Sequence, residues 1–204
     1  MAAIDAGLYR RASGRCGALR PAVFLDRDGV IVEEVGYLHK VEDITLIASA
    51  PAAVARLNAA GVPVVVVTNQ AGIGRGYYTW TDFERVQAEI EARLLPGVVA
   101  GVWACGYHID GEVAELRKDH VWRKPHPGML LDAAEVLGID LSRSWLVGDK
   151  VIDIECAVAA GLGGAVLVRT GYGADHEPKL AALAAGCCAV SVADDLGAAV
   201  ARIL

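Results

Sequence analysis

Residues 22–29 read Ala22-Val23-Phe24-Leu25-Asp26-Arg27-Asp28-Gly29. A short apolar run ends there in two carboxylates and a glycine. Such a run, closed by turn-forming residues, predicts a buried strand. Gly29 lets the chain turn sharply where the strand stops. The same pattern recurs along the chain. Apolar runs at 63–67, 98–104, 145–147, 165–168 and 189–192 read as further strands. Helix-length segments lie between most of them. The segment 52–60 follows Ser49 and Pro51, a cap and a first-turn proline. Thr81 and Glu84 are spaced as a capping box. The segments 129–137, 152–160 and 179–185 end at Gly138, Gly161 and Gly186, and 196–204 closes the chain. Buried strands alternating with helices predict an α/β domain, its parallel sheet covered on both faces.

The 204 residues are 54% hydrophobic and carry a net charge of −6. That composition argues against disorder, and the acidic balance without a Lys/Arg cluster argues against nucleic acid as a partner. The longest uncharged stretches, 156–168 and 180–193, fall short of the ~18–20 apolar residues of a spanning helix. The first twenty residues carry Arg10, Arg11, Arg15 and Arg20 with no continuous apolar run. They are expected to be a loose N-terminal extension of a single domain over residues 21–204. The five cysteines (Cys16, Cys105, Cys156, Cys187 and Cys188) are odd in number and irregularly spaced. They predict a reducing compartment, the cytoplasm, and no disulfide framework.

Ligands of open α/β sheets sit beyond the carboxyl ends of the strands. Three polar clusters fall there: Asp26 to Gly29, Thr68-Asn69-Gln70, and Gly148-Asp149-Lys150. Asp26 and Asp28 are close enough to repel, which favours one protonated and one ionised carboxyl. Such a pair suits a nucleophile and an acid/base around Mg2+, but alone it fits a solvated turn equally well. Thr68 could cradle a phosphoryl group, Lys124 could neutralise its charge, and Asp149 could complete a hard oxygen site for the metal. Each of these residues, taken alone, also has an ordinary structural explanation.

In order, Asp-x-Asp-Gly, Thr-Asn-Gln, Lys-Pro and Gly-Asp-x-x-x-Asp (Asp149, Asp153) resemble the haloacid dehalogenase (HAD) phosphohydrolases. The stretches FLDRDGVI, TNQAGIGRGYYT, RKPHPGML and GDKVIDIECAVAAG, with VLVRTG, resemble the heptose 1,7-bisphosphate 7-phosphatases within that superfamily. Histidinol-phosphate phosphatases are near relatives that share DRDG, TNQ and RKP. The run Ala71 to Gly76 and the Gly36-Tyr37 pair favour the heptose branch.

The resemblance implies a three-layer α/β/α Rossmann-like fold with no large cap, acting on a phosphosugar as a monomer. It implies that Asp26 is the nucleophile, that Asp28 is the acid/base, and that Thr68 and Lys124 stabilise the phosphoryl group. Asp26, the carbonyl of Asp28, and Asp149 would hold Mg2+. Glu34, Val35, Gly36, Tyr37, Asn69, Gln70, Ala71 and Arg123 would contact substrate. Arg123 suits a second phosphate, which guanidinium binds in a fork. Members of the family carry a zinc loop. Aligning on Arg123-Lys124 puts its four ligand positions at Cys105, Tyr107, His120 and Trp122. Only Cys105, His108 and His120 are candidate ligands where four are wanted, so zinc is not expected. Cys105 and Trp122 are expected to pack instead. Retention of Asp26, Asp28, Thr68, Lys124 and Asp149 argues against a phosphate-sensing module that has lost catalysis.

Overall fold

The computed structural model describes residues 3–14, 19–183 and 186–204. Cys16 and the end of the helix expected at 179–185 lie outside the described residues. Among the described residues eight strands are formed: β1 (Ala3–Asp5), β2 (Leu8–Ala12), β3 (Val23–Leu25), β4 (Val64–Asn69), β5 (Gly101–Cys105), β6 (Trp145–Gly148), β7 (Gly164–Val168) and β8 (Ala189–Ala193). They make one sheet in the order β1-β2-β5-β4-β3-β6-β7-β8. From β5 to β8 every pairing is parallel, as expected for apolar runs joined by helices. Leu25 lies between Val66 and Val147, so the Asp26 that follows emerges at the middle of the sheet edge.

The helices are α1 (Ala50–Ala59), α2 (Ala71–Gly74), α3 (Trp80–Leu94), α4 (Gly128–Leu137), α5 (Val151–Ala159), α6 (Gly173–His176) and α7 (Leu196–Ile203). Strand β2 shows how they are layered. The ring of Tyr9 stacks on Trp80 and meets the edge of Phe83, both in α3. Its neighbour Arg10 reaches Asp132 in α4 through both carboxylate oxygens, at 3.1 and 3.0 Å. Successive strand residues face opposite sides, so α3 and α4 cover opposite faces and the three-layer arrangement follows.

Three expectations are corrected. Residues 3–12 are not a loose extension: β1 and β2 form an antiparallel hairpin that pairs with β5. Leu8 and Tyr9 are buried in the core, and Arg10 and Arg11 are held by carboxylates of the helices. The capping box of α3 is Thr79 with Asp82, not Thr81 with Glu84. Thr79 is the residue with extended backbone before the helix, and its hydroxyl accepts from the Asp82 amide. Residues 177–182 form a 3-10 helix with Pro178 in its first turn, where an α-helix was expected from 179. The Gly138 stop holds, with the glycine in the left-handed region at φ 70°.

Candidate active site

The carboxyl ends of β3, β4 and β6 converge on a cleft of about 360 Å³. The Asp26 amide donates to the Val147 carbonyl, which extends the sheet into the site. Its Oδ1 accepts from the Arg27 amide at 2.7 Å and lies 3.0 Å from Lys124 Nζ.

Lys124 is buried. Its ammonium meets three acceptors: the Val67 carbonyl at 2.9 Å, Asp26 Oδ1 at 3.0 Å and Asp153 Oδ1 at 2.7 Å. Burial alone would lower its pKa, but Asp153 and Asp26 outweigh that and hold it charged. Asn69 fixes the lysine from behind. Its amide nitrogen donates to the Lys124 carbonyl, and its oxygen accepts from the Lys124 amide.

Asp28 is gripped from two sides. The Arg27 guanidinium donates to both of its oxygens, and Gln70 Nε2 donates to Oδ2 at 3.2 Å. Gln70 Nε2 also donates to Thr68 Oγ1 at 2.9 Å, and Tyr78 donates its hydroxyl to Gln70 Oε1. Tyr78 and Arg27 therefore fix which end of the Gln70 amide faces the carboxylate. Arg27 itself is folded inward over the Phe83 ring.

Oxygens of Asp26, Asp149 and Asp153 lie within 4.8 Å of one another. Asp149 Oδ2 accepts from the Tyr172 amide, whereas its Oδ1 is buried with no hydrogen-bond partner among the described residues. Burial, with Asp26 beside it, pushes the Asp149 carboxyl up to about 7. Burial also raises Asp153, partly offset by Lys124. A Cβ on Gly29 or Gly171, both at positive φ, would fall 2.4 or 2.3 Å from Asp149 Oδ2. The two glycines let the backbone close around this carboxylate. A buried oxygen left unpaired in an all-carboxylate cluster fits a hard divalent cation such as Mg2+.

Of the residues expected to touch substrate, Glu34, Gly36, Tyr37, Asn69, Gln70, Ala71 and Arg123 line the cleft. Val35 does not. Glu34 Oε1 accepts from the Gly36 amide and closes a tight turn, which leaves Val35 at the tip and 52% exposed. Lys150, Tyr78 and Tyr172 also line the cleft, and no role for them is legible in the sequence. Lys150 Nζ pairs with Glu34 at 3.0 Å and lies over the Tyr172 ring. Its place directly after Asp149 was the available signal.

Comparison with known proteins decides the family. An HAD-hydrolase-like family model matches residues 121–199. The D-glycero-beta-D-manno-heptose-1,7-bisphosphate 7-phosphatase of Escherichia coli K12 is 43% identical over 164 residues, covering 79% of this chain and 86% of that protein. The chain belongs to the HAD-like heptose bisphosphate phosphatase family. The Mesorhizobium japonicum enzyme of the same name is 45% identical over 150 residues, covering 72% of this chain and 69% of its own. The D,D-heptose 1,7-bisphosphate phosphatase of B. bronchiseptica, solved with magnesium and phosphate, superposes with a TM-score of 0.77 at 28% identity. That match covers 90% of this chain and 97% of the other.

Within this family, the loop after β5 is held here by packing and polar contacts. Cys105 is buried in β5, and burial pushes its thiol up to about 11. The Tyr107 ring stacks on His120 with centroids 4.7 Å apart, and Trp122 is buried. Among the described residues no helix is long and apolar enough to cross a membrane.

Proposed function

We propose that the chain removes the 7-phosphate from D-glycero-D-manno-heptose 1,7-bisphosphate in a Mg2+-dependent reaction. The observation that carries this reading is the meeting, in one cleft, of Asp26, Asp28, Thr68 and Lys124 beside an under-satisfied Asp149. The names of the relatives supply the substrate.

Asp26 Oδ1 is held by the Arg27 amide and Lys124, which leaves Oδ2 to attack phosphorus. The P–O bond to the sugar C7 oxygen breaks, and Asp28 gives that oxygen its proton. A water then attacks the aspartyl-phosphate, Asp28 takes the proton back, and inorganic phosphate leaves with Asp26 restored. Thr68 uses its oxygen to accept from Gln70, so its hydroxyl proton is free for a phosphoryl oxygen. Lys124 offsets charge on the same group. Mg2+, held by Asp26, the Asp28 carbonyl and Asp149, supplies further charge neutralisation when bound.

Arg123 contacts the second phosphate, with Glu34, Gly36, Tyr37, Asn69, Gln70 and Ala71 around the sugar. A cationic Arg123 disfavours the ammonium-bearing histidinol phosphate. The free thiols Cys105, Cys156, Cys187 and Cys188 support a cytoplasmic location.

Phosphate release tests the assignment. Asp26→Asn is expected to abolish release from the heptose bisphosphate while the protein stays folded, with a single cooperative melting transition. Retained activity in that variant would refute the mechanism. A wild-type preference for histidinol phosphate in a parallel assay would refute the substrate.

A further inference from the structure

Arg123 and Lys124 sit in one long connection, residues 106–127, whose only regular structure is a three-residue turn at Ala114–Leu116. Lys124 is fixed by Asn69 and by its own buried ion pairs. The Arg123 backbone is held by the His120 carbonyl and the His126 amide, at 2.8 and 2.9 Å, but its side chain has no ion pair among the described residues. Its guanidinium donates one bond, from Nη1 to the Tyr107 carbonyl at 3.1 Å. The Tyr107 carbonyl is thus the hydrogen-bond tether of the Arg123 guanidinium.

Tyr107 is tied to the N-terminal hairpin. Its hydroxyl donates to Asp5 Oδ2 at 3.1 Å, and Asp5 Oδ1 accepts from the Gly7 amide at 2.7 Å. The amide of Gly106, just before it, donates to the Gly7 carbonyl at 2.8 Å. A Cβ at Gly7 would come within 2.5 Å of the Tyr107 ring, so the turn between β1 and β2 packs directly on that ring. On the loop side the ring stacks on His120, and Lys118 Nζ lies 4.1 Å from its centre. Burial and the Asp5 contact push the phenol up to about 12, which keeps its donated proton in place near neutrality.

We propose that the N-terminal hairpin is a positioning element for substrate recognition: Asp5 fixes Tyr107, and the Tyr107 carbonyl aims Arg123 at the second phosphate. This rests on the bisphosphate reading above. Neither Asp5 nor Tyr107 touches the reacting atoms, so their loss should appear in binding of the bisphosphate and leave phosphoryl transfer unchanged.

The test compares the heptose bisphosphate with p-nitrophenyl phosphate, which has no second phosphate. Tyr107→Phe keeps the ring and removes the hydrogen bond. It is expected to raise KM for the bisphosphate roughly three- to tenfold, the worth of one hydrogen bond, with kcat unchanged. Turnover of p-nitrophenyl phosphate should not move. Asp5→Ala, at an exposed position, should reproduce the effect without disturbing the core. Arg123→Ala should raise the same KM by about ten- to a hundredfold, and adding Tyr107→Phe to it should change nothing more. An unchanged KM in Tyr107→Phe and Asp5→Ala, an additive double variant, or equal losses on both substrates would overturn the proposal. An unchanged KM in Arg123→Ala alone would instead remove the second-phosphate reading, and the positioning role with it.

Discussion

Lys124 is a buried ammonium between two buried carboxylates, with a backbone carbonyl as its third acceptor. Breaking such a cluster by removing one partner leaves uncompensated charge, which costs about 3–5 kcal/mol. Lys124→Met is therefore expected to lose stability on that scale in urea denaturation without Mg2+, besides losing activity. A shift under about 1 kcal/mol would mean that water already screens the pair. At this scale the sequence was readable where a residue ends a strand. Asp26, Thr68 and Asp149 announced themselves that way, and Lys124 by standing between Arg123 and Pro125. It was silent where the partner is far along the chain. Nothing in Asp153 says that it anchors Lys124, and nothing in Arg27 says that its guanidinium folds inward onto Asp28, Gln70 and Phe83.

Helix α3 carries the Tyr9 contacts that seat the hairpin, and its first turn is fixed by Thr79 and Asp82. The Thr79 amide and hydroxyl donate to Asp82, which lowers its carboxyl from 3.8 to about 2. A carboxylate depressed by folding stabilises above its unfolded pKa, and that contribution is lost as pH falls through the folded value. Asp82→Ala should thus lower the urea midpoint at pH 7. The gap to wild type should narrow as pH drops below about 4 and close toward about 2. A gap independent of pH would show that the cap works without the charge. The helix itself is legible from its pattern, but the pattern points to a start two residues later than the real one. Both Thr79 and Thr81 have an acidic residue three positions on, and only the extended backbone of Thr79 separates them.

The sheet as a whole ends differently from what the apolar runs suggest. The parallel core from β5 to β8 follows from runs of valine and alanine, but the strand beside β5 is Leu8-Tyr9-Arg10-Arg11-Ala12. Two arginines in succession conceal it. They are acceptable in a covered strand because Asp132 on one face and Glu91 on the other receive them, and both carboxylates come from distant helices. With β2 in place, β5 is an interior strand and the edge on this side is the three-residue β1. Short edges are one way proteins avoid edge-to-edge pairing. Removing residues 1–12 would strip Leu8 and Tyr9 from the core, expose the backbone of β5, and leave Asp132 without its arginine. Loss of the Leu8 burial alone is worth about 1.5–3 kcal/mol. The truncated chain is expected to melt well below the full chain. It should also form concentration-dependent oligomers on size-exclusion chromatography, since the bared strand is apolar and would present unpaired backbone groups. A truncated chain that stays monodisperse with an unchanged melting temperature would mean that β5 closes the sheet without the hairpin.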